Sequence, residues 1–275
     1  HDEVGTLAQT FNQMAQDLEI STKAKIEQER LKQELEVAAK IQKQILPKEL
    51  PKIAGLDLAA DLIPATEIGG DCYDFIAIED DAYLFYIGDV TGHGIPAGIV
   101  ASIANAILYS FSNLFGIKDM LVNANRVLKR KTAQNMFMTM LMLRYQSGKL
   151  DYVSAGHPFM LHYRAGEKKV LEEPGGGIAM AMVPDNSKLL KESSVTFEQG
   201  DCVVLYSDGI PEAASPTGEF YGMQRLKDSL VVHGGKQTAQ EICDGVLADV
   251  KAYMQNATQL DDITIIVIRR TQQQS

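Results

Sequence analysis

Four short acidic motifs run through this chain, and each lies beside an apolar run of β character. They are GGDCYD (69–74), GDVTGHG (88–94), SDG (207–209) and DDIT (261–264). Strands can carry carboxylates from distant parts of a sequence to one place, where they repel each other unless a hard cation neutralises them. The motifs therefore predict a metal site built from four separated segments.

The composition bounds the size of the core and the kind of partner. With 275 residues, 45% of them hydrophobic, the chain can bury one main core and still carry an accessory segment. The net charge of -10 argues against nucleic acid as the main partner, because binding to phosphates takes Lys and Arg. Cys72, Cys202 and Cys243 have no metal-ligand spacing and cannot all pair, which favours a reducing compartment such as the cytosol.

The apolar runs and the first residue of the sequence indicate whether this chain contains a membrane span. The longest apolar run, 263–268, is too short to span a bilayer. The chain begins at His1 with neither an initiator Met nor a signal peptide, which indicates a piece of a longer protein. We expect this piece to be cytoplasmic and the full-length protein to be anchored in the inner membrane through a segment outside this sequence.

The first part of the chain has the pattern of a long helix. No Gly or Pro occurs between Leu7 and Leu46, and Pro47 and Pro51 are expected to end the helix. Apolar residues form two heptad seams whose registers differ by a three-residue step between Ser21 and Ala24. The first seam comprises Leu7, Phe11, Met14 and Leu18, and the second Ala24, Leu31, Leu35, Ala38 and Ile45, with Gln28 and Gln42 in core positions.

Two interpretations of this helix stay open: a soluble spacer, or a dimeric signalling helix. The segment DEVGTLAQTFNQMAQDLE (2–19) resembles the second helix of a HAMP domain, the relay module that follows the membrane span in many bacterial receptors. This resemblance implies a parallel homodimer under the control of an upstream membrane sensor. We divide the chain into a partial HAMP helix (1–19), a coiled-coil linker (20–46), a main domain (47–270) and a C-terminal tail (271–275).

The main domain mixes strands and helices without strict alternation. The predicted strands are 56–63, 83–87, 136–145, 149–154, 159–163, 202–206 and 263–268, and the predicted helices are 96–115, 119–132, 223–232 and 238–254. The last helix opens with a capping box formed by Thr238 and Glu241. Blocks of adjacent strands followed by paired helices favour antiparallel sheets in a layered α+β fold.

Together with SAGHP (154–158), the four acidic motifs resemble the PPM-type metal-dependent serine/threonine phosphatases, in particular the bacterial branch of stage II sporulation protein E and the sigma-factor regulator phosphatases. The resemblance covers about residues 40–270. It implies an antiparallel β-sandwich flanked by helices that holds two or more Mn²⁺ or Mg²⁺ ions. It also implies the ligands: Asp89 and the carbonyl of Val90, Asp208 and Asp261, with Asp71 for a more weakly bound ion.

Other residues of the motifs are assigned supporting positions. Gly70 and Gly209 belong to loops beside the ligands, while Asp74 and Asp262 are expected to make hydrogen bonds around the site rather than bind metal. His93 lies four residues after Asp89, two residues further than the catalytic His of eukaryotic relatives, so that role is not carried over. For His157 we expect a buried, hydrogen-bonded position, and for Cys72 a packed thiol.

The resemblance implies a phosphoserine/phosphothreonine phosphatase of bacterial signalling, in which paired ions give a bridging hydroxide near neutral pH and no protein nucleophile is needed. Its implied substrate is a phosphorylated STAS-domain anti-sigma antagonist or a similar response protein. The alternative function is a non-catalytic metal-binding module that relays signals through partner contacts. The loop 210–221 is expected beside the metals, where it helps to select substrate.

Overall fold

The computed structural model describes residues 3–79 and 81–272 and divides the chain into two compact units, one up to Ile41 and one from Gln42 onward. The first unit belongs to one continuous helix, α1 (Glu3–Ile45). The helix crosses the predicted register step without a break, because no Gly or Pro occurs there. It ends directly before Leu46 and Pro47, as predicted.

The second unit contains, within the described residues, two five-stranded antiparallel sheets and four further helices. The first sheet has the order β1-β10-β9-β6-β7, with β1 (Leu56–Ile63), β6 (Leu161–Arg164), β7 (Lys169–Glu172), β9 (Cys202–Tyr206) and β10 (Ile263–Arg270). The second sheet has the order β2-β3-β4-β5-β8, with β2 (Cys72–Ile78), β3 (Ala82–Val90), β4 (Met138–Gln146), β5 (Lys149–Ala155) and β8 (Glu192–Thr196). The helices are α2 (Ile95–Phe111), α3 (Ile117–Lys131), α4 (Gly222–His233) and α5 (Ala239–Met254).

Three apolar layers hold these elements together. Between the sheets, Phe85 and Leu141 of the second sheet belong to one buried cluster with Val203 and Ile266 of the first. Helices α2 and α3 cover the outer face of the second sheet, and α4 and α5 cover that of the first. Strands β9 and β10 are consequently buried on both faces, which is why they are continuous apolar runs rather than alternating ones.

The predicted α+β sandwich flanked by helices is confirmed, and several elements fall where the patterns indicated. Strand β9 has the predicted bounds, and α5 begins with the predicted capping box. Strands β2, β7 and β8 were not predicted, and α2 ends at Phe111 rather than at residue 115. Its end is a tight turn in which the Ser112 hydroxyl donates to the carbonyl of Tyr109 at 2.8 Å.

The helices lack membrane-spanning character in the part of the chain that the structure describes. Across residues 3–79 and 81–272, none combines the length and apolarity needed to cross a bilayer. The long helix α1 is too polar, since charged residues and Gln recur along all of it.

Candidate metal centre

Strand pairing places the four acidic motifs at neighbouring strand ends. In the second sheet, Cys72 pairs with Gly88, so Asp71 directly before β2 lies beside Asp89 at the end of β3. In the first sheet, Tyr206 pairs with Ile265, so Asp208 after β9 lies near Asp261 before β10. Each sheet therefore contributes two of the predicted carboxylates through a pair of adjacent antiparallel strands.

A buried hydrogen bond connects the two sheets at this end of the sandwich. The hydroxyl of Thr264, in β10, donates to Oδ2 of Asp71 at 2.5 Å. Asp71 is only 3% exposed. Its burial, and secondarily the charge of Asp89, raise the pKa of Asp71 well above the usual value. Asp71 thus joins the segments of the second sheet to those of the first.

Within the first sheet, the SDG and DDIT motifs interlock. The Ser207 hydroxyl donates to the carbonyl of Asp262 at 3.0 Å and accepts from the amide of Thr264 at 3.0 Å. Gly209 lies so close that a Cβ built on it would be 2.0 Å from the carbonyl oxygen of Asp262. Only glycine fits at this position without moving one of the two loops.

The carboxylate of Asp262 organises the loop that leads to Asp71. It accepts hydrogen bonds from the amides of Ala65 and Gly70, both at 2.8 Å, and of Asp71 at 3.3 Å. A Cβ on Gly70 would lie 2.6 Å from the Val90 carbonyl oxygen. The loop therefore packs directly against the backbone that follows Asp89.

The carboxylates strongly disfavour one another's charge. Burial raises the pKa of Asp89 to about 7, with further contributions from Asp208, Asp261, Asp262 and Glu212. Burial also raises the pKa of Asp208, together with the charges of Asp261 and Glu212. A hard divalent cation with oxygen ligands would relieve this repulsion, so the donor set fits Mn²⁺ or Mg²⁺.

The carboxylates are near one another without forming a finished chelate. In the described part of the chain, no three side chains of His, Cys, Asp or Glu are placed so that they could hold a metal ion as they stand.

Other predicted residues lie around these acids or apart from them. Asp74 directs its carboxylate to α2, where it accepts from Asn105 Nδ2 at 3.2 Å. His93 is exposed in the loop 91–94. Cys72 is 4% exposed, and burial raises the pKa of its thiol, so the prediction of a packed thiol is confirmed.

His157 is buried between the sheets, as predicted. Its Nε2 lies 3.1 Å from the carbonyl oxygen of Tyr206, and its Nδ1 lies 2.9 Å from the Thr139 hydroxyl. Burial lowers the pKa of His157 to about 3, so the ring is neutral at physiological pH. The carbonyl can only accept, so Nε2 carries the proton and Nδ1 accepts from Thr139.

Two residues that the motifs did not indicate also approach this site. Glu212 lies in the loop 210–221, and its charge acts on both Asp89 and Asp208. Gln42 donates from Nε2 to the carbonyl of Gly69 at 2.8 Å and accepts from the Gly69 amide at 3.2 Å. In the sequence, Gln42 could have been recognised as a polar residue in a core position of the heptad pattern. Glu212 could have been recognised because it follows the SDG motif by three residues.

Comparison with known families identifies a family that covers most of the second unit. The family model described as Stage II sporulation protein E (SpoIIE) matches residues 79–271, which is more than half of the chain. The match begins within the β2–β3 hairpin and ends just after β10. It thus includes Asp89, Asp208 and Asp261 and leaves the preceding helix outside.

Two curated proteins and one solved structure illustrate the similarity. Phosphoserine phosphatase RsbU of Bacillus subtilis is 30% identical over 251 residues, with 88% of this chain and 72% of that protein covered. Protein IcfG of Synechocystis sp. is 28% identical over 300 residues, with 98% of this chain but only 46% of that protein covered. The SiaA-PP2C domain of Pseudomonas aeruginosa has a TM-score of 0.77 at 22% identity, with 88% of this chain and 97% of that chain covered. This structural likeness establishes the fold, and the chain spans less than half the length of IcfG.

Proposed function

Because this chain belongs to the family of stage II sporulation protein E (SpoIIE), we propose that it is a metal-dependent signalling phosphatase that hydrolyses phosphoserine or phosphothreonine in a protein. The observation that carries this proposal is the meeting of acidic residues from both sheets at one end of the sandwich. Asp89 feels the charges of Asp208 and Asp261, and Asp71 feels the charge of Asp89. Burying several carboxylates together costs folding free energy unless bound cations neutralise their charges.

We assign the ligands accordingly. Asp89, Asp208 and Asp261, with the Val90 carbonyl, would hold the principal ions, and Asp71 would contribute to a further ion. When bound, divalent ions lower the pKa of water and neutralise charge on a phosphoryl group. Asp262 positions Gly70 and Asp71 through their amides, and Glu212 adds negative charge from the loop 210–221.

The substrate is proposed to be a protein rather than a small metabolite. RsbU is named as a phosphoserine phosphatase, and Asp89 and Asp208 border an open recess at the surface, so a phosphorylated loop can approach them. A phosphorylated STAS-domain regulator is the specific substrate that we propose. Hydrolysis needs positioning of the phosphate and neutralisation of its charge more than it needs a protein nucleophile.

Phosphate release from two peptides of the same sequence, one phosphorylated on Ser and one on Tyr, tests this function. We expect turnover of the phosphoserine peptide to rise with Mn²⁺ or Mg²⁺, to saturate, and to disappear after chelation. The phosphotyrosine peptide is expected to react far more slowly. A folded chain with no turnover at any metal concentration would favour the alternative, a non-catalytic metal-binding module.

We further propose that α1 pairs with a second copy in a parallel coiled coil and transmits the signal of an upstream membrane sensor. Leu7, Phe11, Met14 and Leu18 support pairing, since each is at least 60% exposed along one seam. Gln42 provides the link to the centre, because it binds the Gly69 backbone one residue before Gly70. Sedimentation of the full chain should give a dimer that Leu18→Lys weakens, and a monomer at high protein concentration would reject the pairing.

A further inference from the structure

An apolar recess opens beside the acidic cluster, and we propose that it binds an apolar side chain of the phosphoprotein next to the phosphorylated residue. This inference rests on the proposed phosphatase function and adds a substrate preference to it. The recess has a volume of about 510 Å³ and includes Asp89 and Asp208 in its wall. Whatever enters it therefore lies within a side chain's reach of the proposed metal centre.

The walls of the apolar recess are formed mainly by carbon atoms. Its hydrophobic lining residues are Pro158, Phe159, Met223 and Tyr206. Phe159 remains 43% exposed although it is large and hydrophobic. The ring of Phe159 packs closely against Gly175, because a Cβ built on Gly175 would lie only 2.6 Å from the Cδ1 atom of this ring. A partner's apolar side chain would cover the exposed part of this ring.

His157 and Thr139, two polar residues that line the recess, already bind each other or the backbone. His157 donates to the Tyr206 carbonyl, and Thr139 donates to Nδ1 of His157, so neither donor points to a ligand. The ring of His157 is also neutral, since its pKa is about 3. These groups offer neither a positive charge nor a spare donor to a polar side chain.

The charges in and around the recess disfavour an acidic side chain of the substrate and give no specific partner to a basic one. Its ten lining residues, all of them described, include no Lys or Arg, whereas Asp89, Asp208 and Glu172 are acidic. An acidic side chain would be repelled. Glu172 is already paired with Lys227 of α4, and the two aspartates are assigned to metal ions. An uncharged apolar side chain is therefore the occupant that fits best.

Paired phosphoserine peptides that differ at one position test the proposal. Four positions of the peptide are varied one at a time: the two residues before the phosphoserine and the two residues after it. Each position carries Leu, Asn, Lys or Asp in turn. The value of kcat/KM is measured for every peptide with the full chain and Mn²⁺. We expect the Leu peptide to exceed the Asn peptide about tenfold at one of these positions, as partial burial of one aliphatic side chain would give. The Lys and Asp peptides are expected to be no better than Asn.

Variants connect the preference to the recess. Phe159→Ala and Met223→Ala are each expected to reduce the Leu-to-Asn ratio to about twofold or less. The ratio compares two substrates of the same preparation, so it remains valid if a variant is less stable or less active. Phe115→Ala is the matched control, since Phe115 has a similar exposure of 41% but does not line the recess. It should keep the wild-type ratio.

Four results would overturn the inference, and only the last of them would also reject the phosphatase function. Equal turnover of the Leu and Asn peptides at every position, with para-nitrophenyl phosphate still hydrolysed, would reject the recess while leaving the phosphatase function intact. A preference for Lys, or a Leu preference that survives both recess substitutions, would do the same. Absence of metal-dependent turnover of para-nitrophenyl phosphate and of every peptide would reject the proposed function together with the inference.

Discussion

Replacing Asp89 by Asn is expected to abolish metal-dependent phosphate release, with a fall in kcat of at least about a thousandfold. The amide has the shape of the carboxylate but lacks the charge that we assign to holding the ions. Asp89 lies at the end of β3 between the acids of both sheets, and burial together with three other aspartates raises its pKa. Turnover of para-nitrophenyl phosphate across a Mn²⁺ titration measures the loss without depending on a particular protein substrate.

The same substitution is expected to stabilise the metal-free chain at alkaline pH. Burial and neighbouring acids raise the pKa of Asp89 from 3.8 to about 7 in the native state. Between pH 3.8 and about pH 7, the carboxyl of Asp89 is therefore protonated in the native state but ionised in the unfolded state. Stability is therefore lost as the pH rises through this window, and a neutral Asn avoids that loss. At pH 8 we expect a gain on the order of 1 kcal/mol in the free energy of unfolding, measured by urea denaturation.

The opposite signs of these two effects distinguish a role at the metals from general damage. A variant that lost both activity and metal-free stability would indicate misfolding instead. Asp244→Asn serves as the control, because Asp244 is an exposed carboxylate on α5 that only accepts from Gln240 of the same helix. It should retain wild-type turnover and stability. Full activity of the Asp89 variant would contradict the assignment of this residue as a ligand.

The second large effect is expected for Gly209→Ala. The new methyl group would meet the carbonyl of Asp262 at 2.0 Å, which is backbone and cannot rotate away. The SDG loop must therefore move from the DDIT loop, which separates Asp208 from Asp261. We expect a loss of about 2–3 kcal/mol in the free energy of unfolding and a clearly weaker response of turnover to Mn²⁺.

Gly166→Ala is the matched control for this substitution. A Cβ on Gly166 meets nothing within 4 Å, so the same chemical change at that turn should leave the melting temperature and the metal response close to those of the wild type. If Gly209→Ala behaved like Gly166→Ala in both measurements, the close contact between the two loops would not be a feature of the protein in solution.

The sequence patterns predicted the elements whose local signal matches their environment. Strand β9 and helix α5 were found with nearly their observed bounds, because one is a short apolar run and the other opens with a capping box. Strand β2 was missed since its first residues belong to a motif that was interpreted as part of a site rather than as a strand. Strands β7 and β8 are short and largely exposed, so they carry little apolar pattern.

The candidate site shows the same division between local and long-range information. The motifs named the acids that the fold brings near one another, but they did not indicate which partners Asp71 and Asp74 bind. The fold sends Asp71 to Thr264 of the other sheet and Asp74 to Asn105 of α2. Glu212 was missed because its nearness to Asp89 depends on the path of the loop 210–221 rather than on a motif.

By itself, the sequence determined the chemistry available to this protein and its local periods: carboxylates beside apolar runs, an uninterrupted helix, and turns at Gly and Pro. Only the tertiary structure decided which carboxylates lie close enough to repel each other and which face of each strand is covered. It also decided where an apolar recess opens beside these carboxylates. The physical reason is range. Helical and strand periods are set by neighbours within a few residues, whereas the contact of Asp71 with Thr264 joins positions 193 residues apart through strand pairing and sheet packing.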